Sequence, residues 1–374
     1  MSNVYEKIGL KRVINAAGKM TALGVSTIHP KTANALVEGA SAYVEIERLY
    51  EVAGKKMAQL INAPDACIVN SASAGLAMAT SALICKDDIA LAEILPVHLS
   101  SISKREVILL KGQNVNYGAP VSTMIQLGGG IVVEVGYANK STSMHIESAV
   151  NENTLAIYFI QSHHCVIKNM VTVDEVIGVG KKFGVPVIVD AASESDLSLY
   201  IDKGADMAIY SGAKAICGPT SGLVACSNSD YARYLRNQFK GIGRAMKVGK
   251  ESIMGLLKAV EVYLDGEIIT VVDRKELDEF ALKLNELQGL TCSISADAQG
   301  RPIYRVKVIV DQAVFGISAS DLVLRLHKND PMIAVRDHYA NVGSIEIDPR
   351  GFNTKDEMWE ICDAIRKIQG EING

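Results

Sequence analysis

Two ionisable residues in the middle of the chain each follow a short apolar segment. Asp190 closes the segment VPVIVD, and Lys214 follows MAIY within the stretch DMAIYSGAKAICGPTSG. A lysine just past a strand end, among small residues, can be desolvated, which lowers its pKa and suits it to form a Schiff base. A carboxylate at the carboxyl end of a parallel strand lies where α/β sheets bind ligands. A surface lysine and a helix N-cap aspartate are the ordinary alternatives for these residues taken singly.

A turn of small and hydroxyl-bearing residues, NSASAGL, follows the apolar segment ACIVN. Because a turn of this kind presents backbone N–H groups at a helix N-terminus, it predicts a phosphate site at Ser71, Ala72, Ser73 and Gly75. An ordinary serine N-cap is the alternative. The chain contains no GxxxxGK[ST] loop and no GxGxxG motif, so neither of these nucleotide-binding motifs is present.

The segments that must position these residues are seven short apolar runs. They are continuous rather than alternating in polarity, which is typical of strands buried on both faces of a parallel sheet. Helix-like segments such as VDEVIGVGKKF lie between several of them, so we expect an α/β sheet with helices on both faces. The predicted strands span 66–70, 106–110, 131–135, 155–160, 186–190, 207–210 and 222–226. One helix and one strand fit between Asp190 and Lys214, which places both at the same sheet edge.

The pattern changes after Lys247, where amphipathic helices over 251–264 and 274–287 precede shorter strands and a last helix from Thr354. This part is typical of an α+β domain. We therefore predict an N-terminal arm over 1–50, a large α/β domain over 51–250 and a small α+β domain over 251–374.

Length and composition exclude several classes of protein. The chain has 374 residues, 48% of them hydrophobic and 21% charged, which suits two or three folded domains and not a disordered chain. Its formal net charge of −4 does not favour nucleic-acid binding.

Compartment and metal content are predicted from the remaining patterns. The seven cysteines form no CxxC pair, so we expect reduced thiols. The N-terminus carries scattered charges. No apolar run in the chain approaches the ~18 residues that a membrane span needs. We therefore expect a cytoplasmic protein without membrane contact. No histidine or cysteine set has metal-ligand spacing with supporting carboxylates, so no metal is predicted.

The combination of a phosphate turn, a strand-end aspartate and a strand-end lysine, in that order, resembles fold-type I pyridoxal-phosphate (PLP) enzymes. The seven predicted strands suit the seven-stranded sheet of that family. The resemblance implies that Lys214 holds the cofactor aldehyde and that Asp190 keeps the pyridine nitrogen protonated. It implies that the turn around Ser71 grips the cofactor phosphate together with Ser211. Gln113 or Tyr117, after the second predicted strand, would lie over the cofactor ring.

A narrower resemblance covers nearly the whole chain. The blocks GLKRVINAAG, REVILLKG, VEVGYAN, SGAKAICGP and IEIDPR are similar to the group that contains selenocysteine synthase (L-seryl-tRNA selenium transferase) and D-glucosaminate-6-phosphate ammonia-lyase. Two departures from the transferase are expected to matter: no separate N-terminal tRNA-binding module precedes the first block, and Cys165 stands where the transferase pattern has tyrosine. With GIGRAMKVGKE at 241–251, the chain is more similar to the ammonia-lyase branch.

That resemblance implies a small phosphorylated 2-amino-3-hydroxy sugar acid as substrate and a 2-keto-3-deoxy acid phosphate plus ammonia as products. A homodimer or higher even homo-oligomer is expected, because active sites of this fold usually draw residues from two subunits. The candidate substrate contacts are Arg244, Lys247 and Lys250 for the distal phosphate, Arg336 for the carboxylate, and His163 and His164 near the reacting atoms. Solvated cations, a surface ion pair and loop histidines are the ordinary alternatives.

Three other functions stay open at this point. The first is a selenium transferase acting on a charged tRNA, and the second is another PLP lyase or aldolase. The third is a PLP-binding protein without turnover.

Overall fold

A computed structural model describes residues 3–268, 270–297 and 301–373 of the chain. Contacts divide the chain into a large unit, Ile28–Glu267, and a small unit made of Met1–Thr27 and Ile268–Gly374. These divisions differ from the boundaries at 50 and 250 that the sequence suggests. The helix Pro30–Ala40 packs against the helix Lys250–Leu264, so both ends of the 28–267 segment belong to one unit.

The strands and helices of the described residues are numbered here in chain order. The strands are β1 (Val13–Ala16), β2 (Asp65–Val69), β3 (Glu106–Leu110), β4 (Ile131–Val135), β5 (Thr154–Ile160), β6 (Val187–Asp190), β7 (Met207–Ser211), β8 (Gly222–Cys226), β9 (Leu290–Ala296), β10 (Tyr304–Val310), β11 (Met332–Val335) and β12 (Ser344–Ile347). The helices are α1 (Pro30–Ala40), α2 (Ile46–Leu60), α3 (Ala72–Cys85), α4 (Ile89–Ile94), α5 (Val121–Leu127), α6 (Ser143–Glu147), α7 (Val173–Phe183), α8 (Leu199–Lys203), α9 (Ser229–Asn237), α10 (Lys250–Leu264), α11 (Arg274–Leu284), α12 (Gln312–Phe315), α13 (Ala319–Lys328) and α14 (Asp356–Asn373).

The large unit is built on a seven-stranded sheet with the order β2-β8-β7-β6-β5-β3-β4. Strand β8 runs antiparallel to both of its neighbours, and the other pairs are parallel. The prediction of a mostly parallel α/β sheet is therefore confirmed. Because β8 is reversed, β2 runs in the same direction as β7, and the carboxyl ends of β2, β5, β6 and β7 lie at one edge.

Alternate residues of the buried strands contribute to two separate apolar cores, one on each face of the sheet. In β3, Ile108 and Leu110 join the core that also contains α7, while Val107 and Leu109 join the core against α3. This two-sided burial explains why the strands read as continuous apolar runs. Helix α7 is capped at both ends. Thr172 and Glu175 form a capping box at its start, and Gly184 ends it with a φ of 66°.

The small unit combines an antiparallel sheet of order β12-β10-β9 with a parallel pair, β1 and β11. Its core draws on both parts of the chain, since Ile14 and Ala16 of β1 are buried together with residues of α11, α13 and α14. The N-terminal segment is thus a structural strand of this unit. No helix in the described part of the chain combines the length and apolar character needed to cross a membrane.

Candidate active site

The carboxyl edge of the large sheet brings together the residues that the sequence singled out. Asp190 ends β6, the central strand, and pairs in register with Ile160 of β5 and Ile209 of β7. Ser211 ends β7, and Ser71 follows β2 at the same edge. Four strand ends therefore converge where a parallel sheet places its ligands.

Asp190 is held in one orientation and is almost fully buried. Its Oδ1 accepts a hydrogen bond of 3.0 Å from the backbone N–H of Ala192. Burial raises the pKa of this carboxyl group, and the positive charge of Lys214 and the Ala192 N–H act in the opposite direction. The buried Asp190 carboxylate therefore needs a cationic partner to stay ionised.

Lys214 lies in a tight loop that joins β7 to β8. The loop is closed by two backbone hydrogen bonds, from Gly212 N to Ser221 O at 2.8 Å and from Gly218 N to Gly212 O at 2.7 Å. Lys214 is half-buried, and its charge acts on Asp190. Lys214 thus follows β7 at the edge where Asp190 ends β6, and the cofactor roles of the two residues stay a prediction.

The turn into α3 has the form expected of a phosphate site. Ser71 is the N-cap, and its Oγ accepts a hydrogen bond of 3.0 Å from Ala74 N. A Cβ added at Gly222, the first residue of β8, would lie 2.8 Å from Ala72 N, so the turn needs glycine there. Gly75 has a different reason: its added Cβ would lie 2.8 Å from Ile209 Cγ2, so this glycine allows close packing of α3 on the sheet.

Tyr117 lies beside this turn and beside Asp190. Burial raises the pKa of its phenol, the Ser73 hydroxyl lowers it, and the Asp190 charge raises it. The Tyr117 hydroxyl is buried and has no hydrogen-bond partner of good geometry among the described residues. Tyr117 thus lies near enough to Asp190 for the carboxylate charge to act on its phenol, and the choice between Gln113 and Tyr117 as the residue over the cofactor ring stays open.

The Gln113 side chain links the segment after β3 to the end of β5. It is buried, and its Oε1 accepts a hydrogen bond of 2.8 Å from Ile160 N. Its amide nitrogen makes no hydrogen bond within the described part of the chain, so it keeps a donor for a ligand. Its assignment to cofactor binding stays a prediction.

The loop after β5 carries His163, His164 and Cys165. The two imidazole rings lie 4.0 Å apart between centroids, and His164 is the more exposed. The Cys165 thiol donates to Ile160 O at 3.4 Å. Burial, with a further contribution from the Asp190 carboxylate, raises the pKa of Cys165 to about 12, so this thiol is neutral next to the aspartate.

The three cations predicted for a substrate phosphate line a groove of about 920 Å³ in the large unit. Lys250 is already engaged there, since its Nζ donates to the carbonyl oxygens of Ala40 and Ala42 at the end of α1. Arg244 and Lys247 are exposed and form no ion pair with any described residue. The groove lining includes neither Asp190 nor Lys214, so the phosphate-binding role of the three cations stays a prediction.

Arg336 belongs to the small unit, where it follows β11. Its side chain is 10% exposed, and its Nε lies 3.2 Å from Glu346 Oε2. Burial lowers the pKa of this guanidinium, as does the charge of Arg305, while Asp348 and Glu346 raise it. A buried arginine of this kind suits the binding of a carboxylate, which stays a prediction for Arg336.

Comparison with known protein families gives a direct result. The family described as L-seryl-tRNA selenium transferase matches residues 13–316. The chain belongs to this family. The predicted membership in the selenocysteine synthase group is therefore confirmed.

Relatives within and around the L-seryl-tRNA selenium transferase family are similar over almost the whole chain. A D-glucosaminate-6-phosphate ammonia lyase from Salmonella typhimurium is 41% identical over 98% of this chain and 98% of its own length. A 5'-C-glycyluridine monooxygenase-decarboxylase from a Streptomyces species is 37% identical over 94% of this chain and 89% of its own length. The prediction that the chain is an enzyme similar to the ammonia-lyase branch is confirmed.

Solved structures support the same assignment. A structure of D-glucosaminate-6-phosphate ammonia-lyase matches with a TM-score of 0.91 and 40% identity, covering 100% of both chains. An aspartate aminotransferase from Thermotoga maritima matches with a TM-score of 0.56 and 14% identity over 99% of this chain and 94% of its own, which shows a shared fold. The predicted fold-type I architecture is confirmed.

The residues of this family member fit pyridoxal phosphate, which has an aldehyde, a pyridine nitrogen and a phosphate. The Lys214 amine could hold the aldehyde, and the buried Asp190 carboxylate offers a partner to a protonated ring nitrogen. The α3 N-terminus with Ser71, and the backbone cradle that Gly222 keeps open, suit the phosphate. The buried hydroxyl of Tyr117 is a further polar group near Ser73 and Asp190.

Proposed function

We propose that the protein is a PLP-dependent ammonia-lyase acting on a phosphorylated 2-amino-3-hydroxy sugar acid. The observation that carries this proposal is the electrostatic pairing of buried Asp190 with Lys214 at the edge that also holds the α3 N-terminus. The substrate class comes from the relative and the solved structure that are 41% and 40% identical to this chain. The net reaction converts the 2-amino-3-hydroxy acid into a 2-oxo-3-deoxy acid and ammonia, with the phosphate retained.

Each residue of the edge has a defined task in this reaction. Pyridoxal phosphate, when bound, supplies an electron sink for charge that develops at the substrate α-carbon. Asp190 keeps the ring nitrogen protonated, since its buried carboxylate gains from a cationic partner. Lys214 Nζ takes the α-proton as a base, and Lys214 or a histidine after β5 returns a proton to the departing 3-hydroxyl.

The substrate contacts follow from charge. Arg336 receives the carboxylate, and Arg244 with Lys247 receives the distal phosphate, where Lys250 adds positive charge. A homodimer or higher even homo-oligomer, as expected for this fold, is part of the proposal. The proposal includes no membrane partner and no nucleic-acid partner.

The experiment compares ammonia release from D-glucosaminate 6-phosphate, the same acid without its phosphate, and L-serine, each with PLP-loaded protein. We expect kcat/KM to be about 10²-fold or more higher for the phosphorylated acid, because two charged hydrogen bonds of about 1.5–3 kcal/mol each are lost without the phosphate. Ammonia release that is equal for all three compounds, or absent for the phosphorylated one, would contradict the proposal.

The 37% identical monooxygenase-decarboxylase favours a second candidate, an oxygen-dependent decarboxylation of an amino acid. The two reactions differ in stoichiometry, because the lyase reaction consumes no oxygen and keeps the substrate carboxylate. Measuring oxygen uptake and carbon dioxide release in the same assay separates them. Salt-sensitive binding of a seryl-tRNA in a parallel assay would instead support the selenium-transferase function.

A further inference from the structure

Strand β5 extends beyond its neighbour β3. The register between the two strands ends at Leu109 and Tyr158, whereas β5 continues to Ile160. Successive residues of a strand direct their backbone polar groups to opposite neighbours, and Gln161 N donates to Asp190 O of β6 at 2.9 Å. The backbone N–H and C=O of Ile160 therefore face the side of β3, beyond the point where that strand pairs with β5.

Two side chains take the place of β3 at Ile160. Gln113, which is 3% exposed, accepts a hydrogen bond of 2.8 Å at its Oε1 from Ile160 N. The half-buried Cys165 donates from its Sγ to Ile160 O at 3.4 Å. Because buried backbone groups need hydrogen-bond partners, these two contacts complete the end of β5.

The segments that carry the two side chains are themselves joined. Val166 N donates to Gly112 O at 3.3 Å, and Cys165 N donates to Ser162 O at 3.0 Å. The first bond links the segment after β3 to the segment after β5. The second closes the turn that brings the Cys165 thiol back to Ile160. Backbone hydrogen bonds therefore support both contacts at the end of β5.

The end of β5 lies directly beside Asp190. Ile160 pairs in register with Asp190, and the next residue, Gln161, donates its backbone N–H to Asp190 O. The position of the Asp190 backbone on this side therefore depends on a strand end that Gln113 and Cys165 hold.

We propose that Gln113 and Cys165 are positioning residues, which fix the end of β5 against β6 and so hold the Asp190 carboxylate in one place. A loosened end of β5 would free the Asp190 backbone on one side and widen the range of positions that the carboxylate takes. A charged group that must face one ring nitrogen acts less strongly when its position varies. The task of Asp190 toward the cofactor rests on the proposed function, whereas the contacts at Ile160 do not depend on it.

Hydrogen–deuterium exchange in the cofactor-free protein tests the positioning itself. We expect amides of the segment 158–165 to exchange about tenfold faster in Gln113→Met, the effect of one lost hydrogen bond. In Gln113→Glu, whose carboxyl oxygen can still accept from Ile160 N, exchange should stay within about twofold of wild type. Cys165→Ala removes the second contact and should accelerate exchange by about threefold, because a thiol is a weak donor.

The matched control is Gln238→Met. Gln238 is a second buried glutamine of the large unit, follows α9, and donates from its Nε2 to Tyr234 O at 3.5 Å. Its replacement should leave exchange of the segment 158–165 as in wild type. Unchanged exchange in Gln113→Met, or an increase that Gln238→Met matches, would overturn the proposal.

A second measurement follows the consequence at Asp190. Nitrogen-15 NMR of PLP labelled at the ring nitrogen, bound to each variant, gives the pH at which the ring loses its proton. We expect this pH to fall by about one unit in Gln113→Met, a roughly tenfold weaker hold on the proton, and to stay unchanged in Gln238→Met. An unchanged value in Gln113→Met would overturn the positioning role. Wild-type protein that binds PLP without a protonated ring nitrogen would contradict the proposed function instead, and the exchange result would then decide the positioning alone.

Discussion

Replacing Lys214 with alanine is expected to abolish turnover and to remove the visible absorption band that lysine-bound pyridoxal phosphate gives. Under the proposed function, the variant lacks both the amine that would hold the cofactor and the base that would take the α-proton. Loss of a positioned acid–base group alone costs about 10²–10⁴-fold in rate, so the combined loss should exceed that range. Ammonia release and the absorption spectrum after PLP addition measure the two effects separately.

A suitable control for this variant is Lys182→Ala. Lys182 is exposed in the large unit, on α7, and pairs with Glu147 at 2.9 Å. Since exposed pairs contribute about 0–1 kcal/mol, the control should bind cofactor and turn over as wild type does. Activity that survives in Lys214→Ala would show that another residue forms the covalent link.

Replacing Asp190 with asparagine should reduce turnover by about 10²-fold or more, because loss of one partner from a buried ion pair costs about 3–5 kcal/mol. The amide keeps the shape of the side chain and can still accept from Ala192 N, but it cannot hold a proton on the ring nitrogen by charge. The cofactor should still attach to Lys214. The measurement is kcat together with the spectrum of the loaded variant.

The same variant should behave differently without cofactor. Burial raises the pKa of Asp190 in the folded protein, so the folded state binds this proton more tightly than the unfolded state. This tighter proton binding stabilises the folded state fully at pH values below the ordinary carboxyl pKa. The stabilisation is lost as the pH rises through the raised pKa of the folded state. Asparagine does not ionise, so cofactor-free Asp190→Asn should lose less stability than wild type over that range. Thermal denaturation at several pH values checks this, and parallel curves for both proteins would contradict it.

Much of the large sheet could be predicted because most of its strands are buried on both faces. Each such strand forms a continuous apolar run, and the predicted runs at 106–110 and 222–226 coincide with β3 and β8. The predicted run at 131–135 coincides with β4, an edge strand of which Val135 alone is buried. The reversed direction of β8 could not be predicted in this way, since burial of both faces is the same for either direction. The parallel pairing of β1 with β11 was also missed, because β1 is short and its partner lies near the other end of the chain.

In the candidate site, too, some residues could be placed from the sequence and others could not. Asp190 and Lys214 could be placed together because topology alone brings two strand ends to one edge. The position of Tyr117 beside Asp190 depends on an irregular loop after β3, which has no periodic pattern. Charges can be read from a sequence but their partners cannot. Lys250 bonds backbone carbonyls, and Arg336, which follows β11, pairs with Glu346 of β12 through an isolated bridge.

Product stoichiometry tests most directly the proposed elimination of ammonia from a phosphorylated amino sugar acid. The reaction is run with PLP-loaded protein and D-glucosaminate 6-phosphate, without oxygen and without any added 2-oxo acid. We expect ammonia and 2-oxo acid in a ratio of 1:1, with no carbon dioxide. A reaction that needs oxygen, releases carbon dioxide, or starts only when a 2-oxo acid is added as amino acceptor would contradict it.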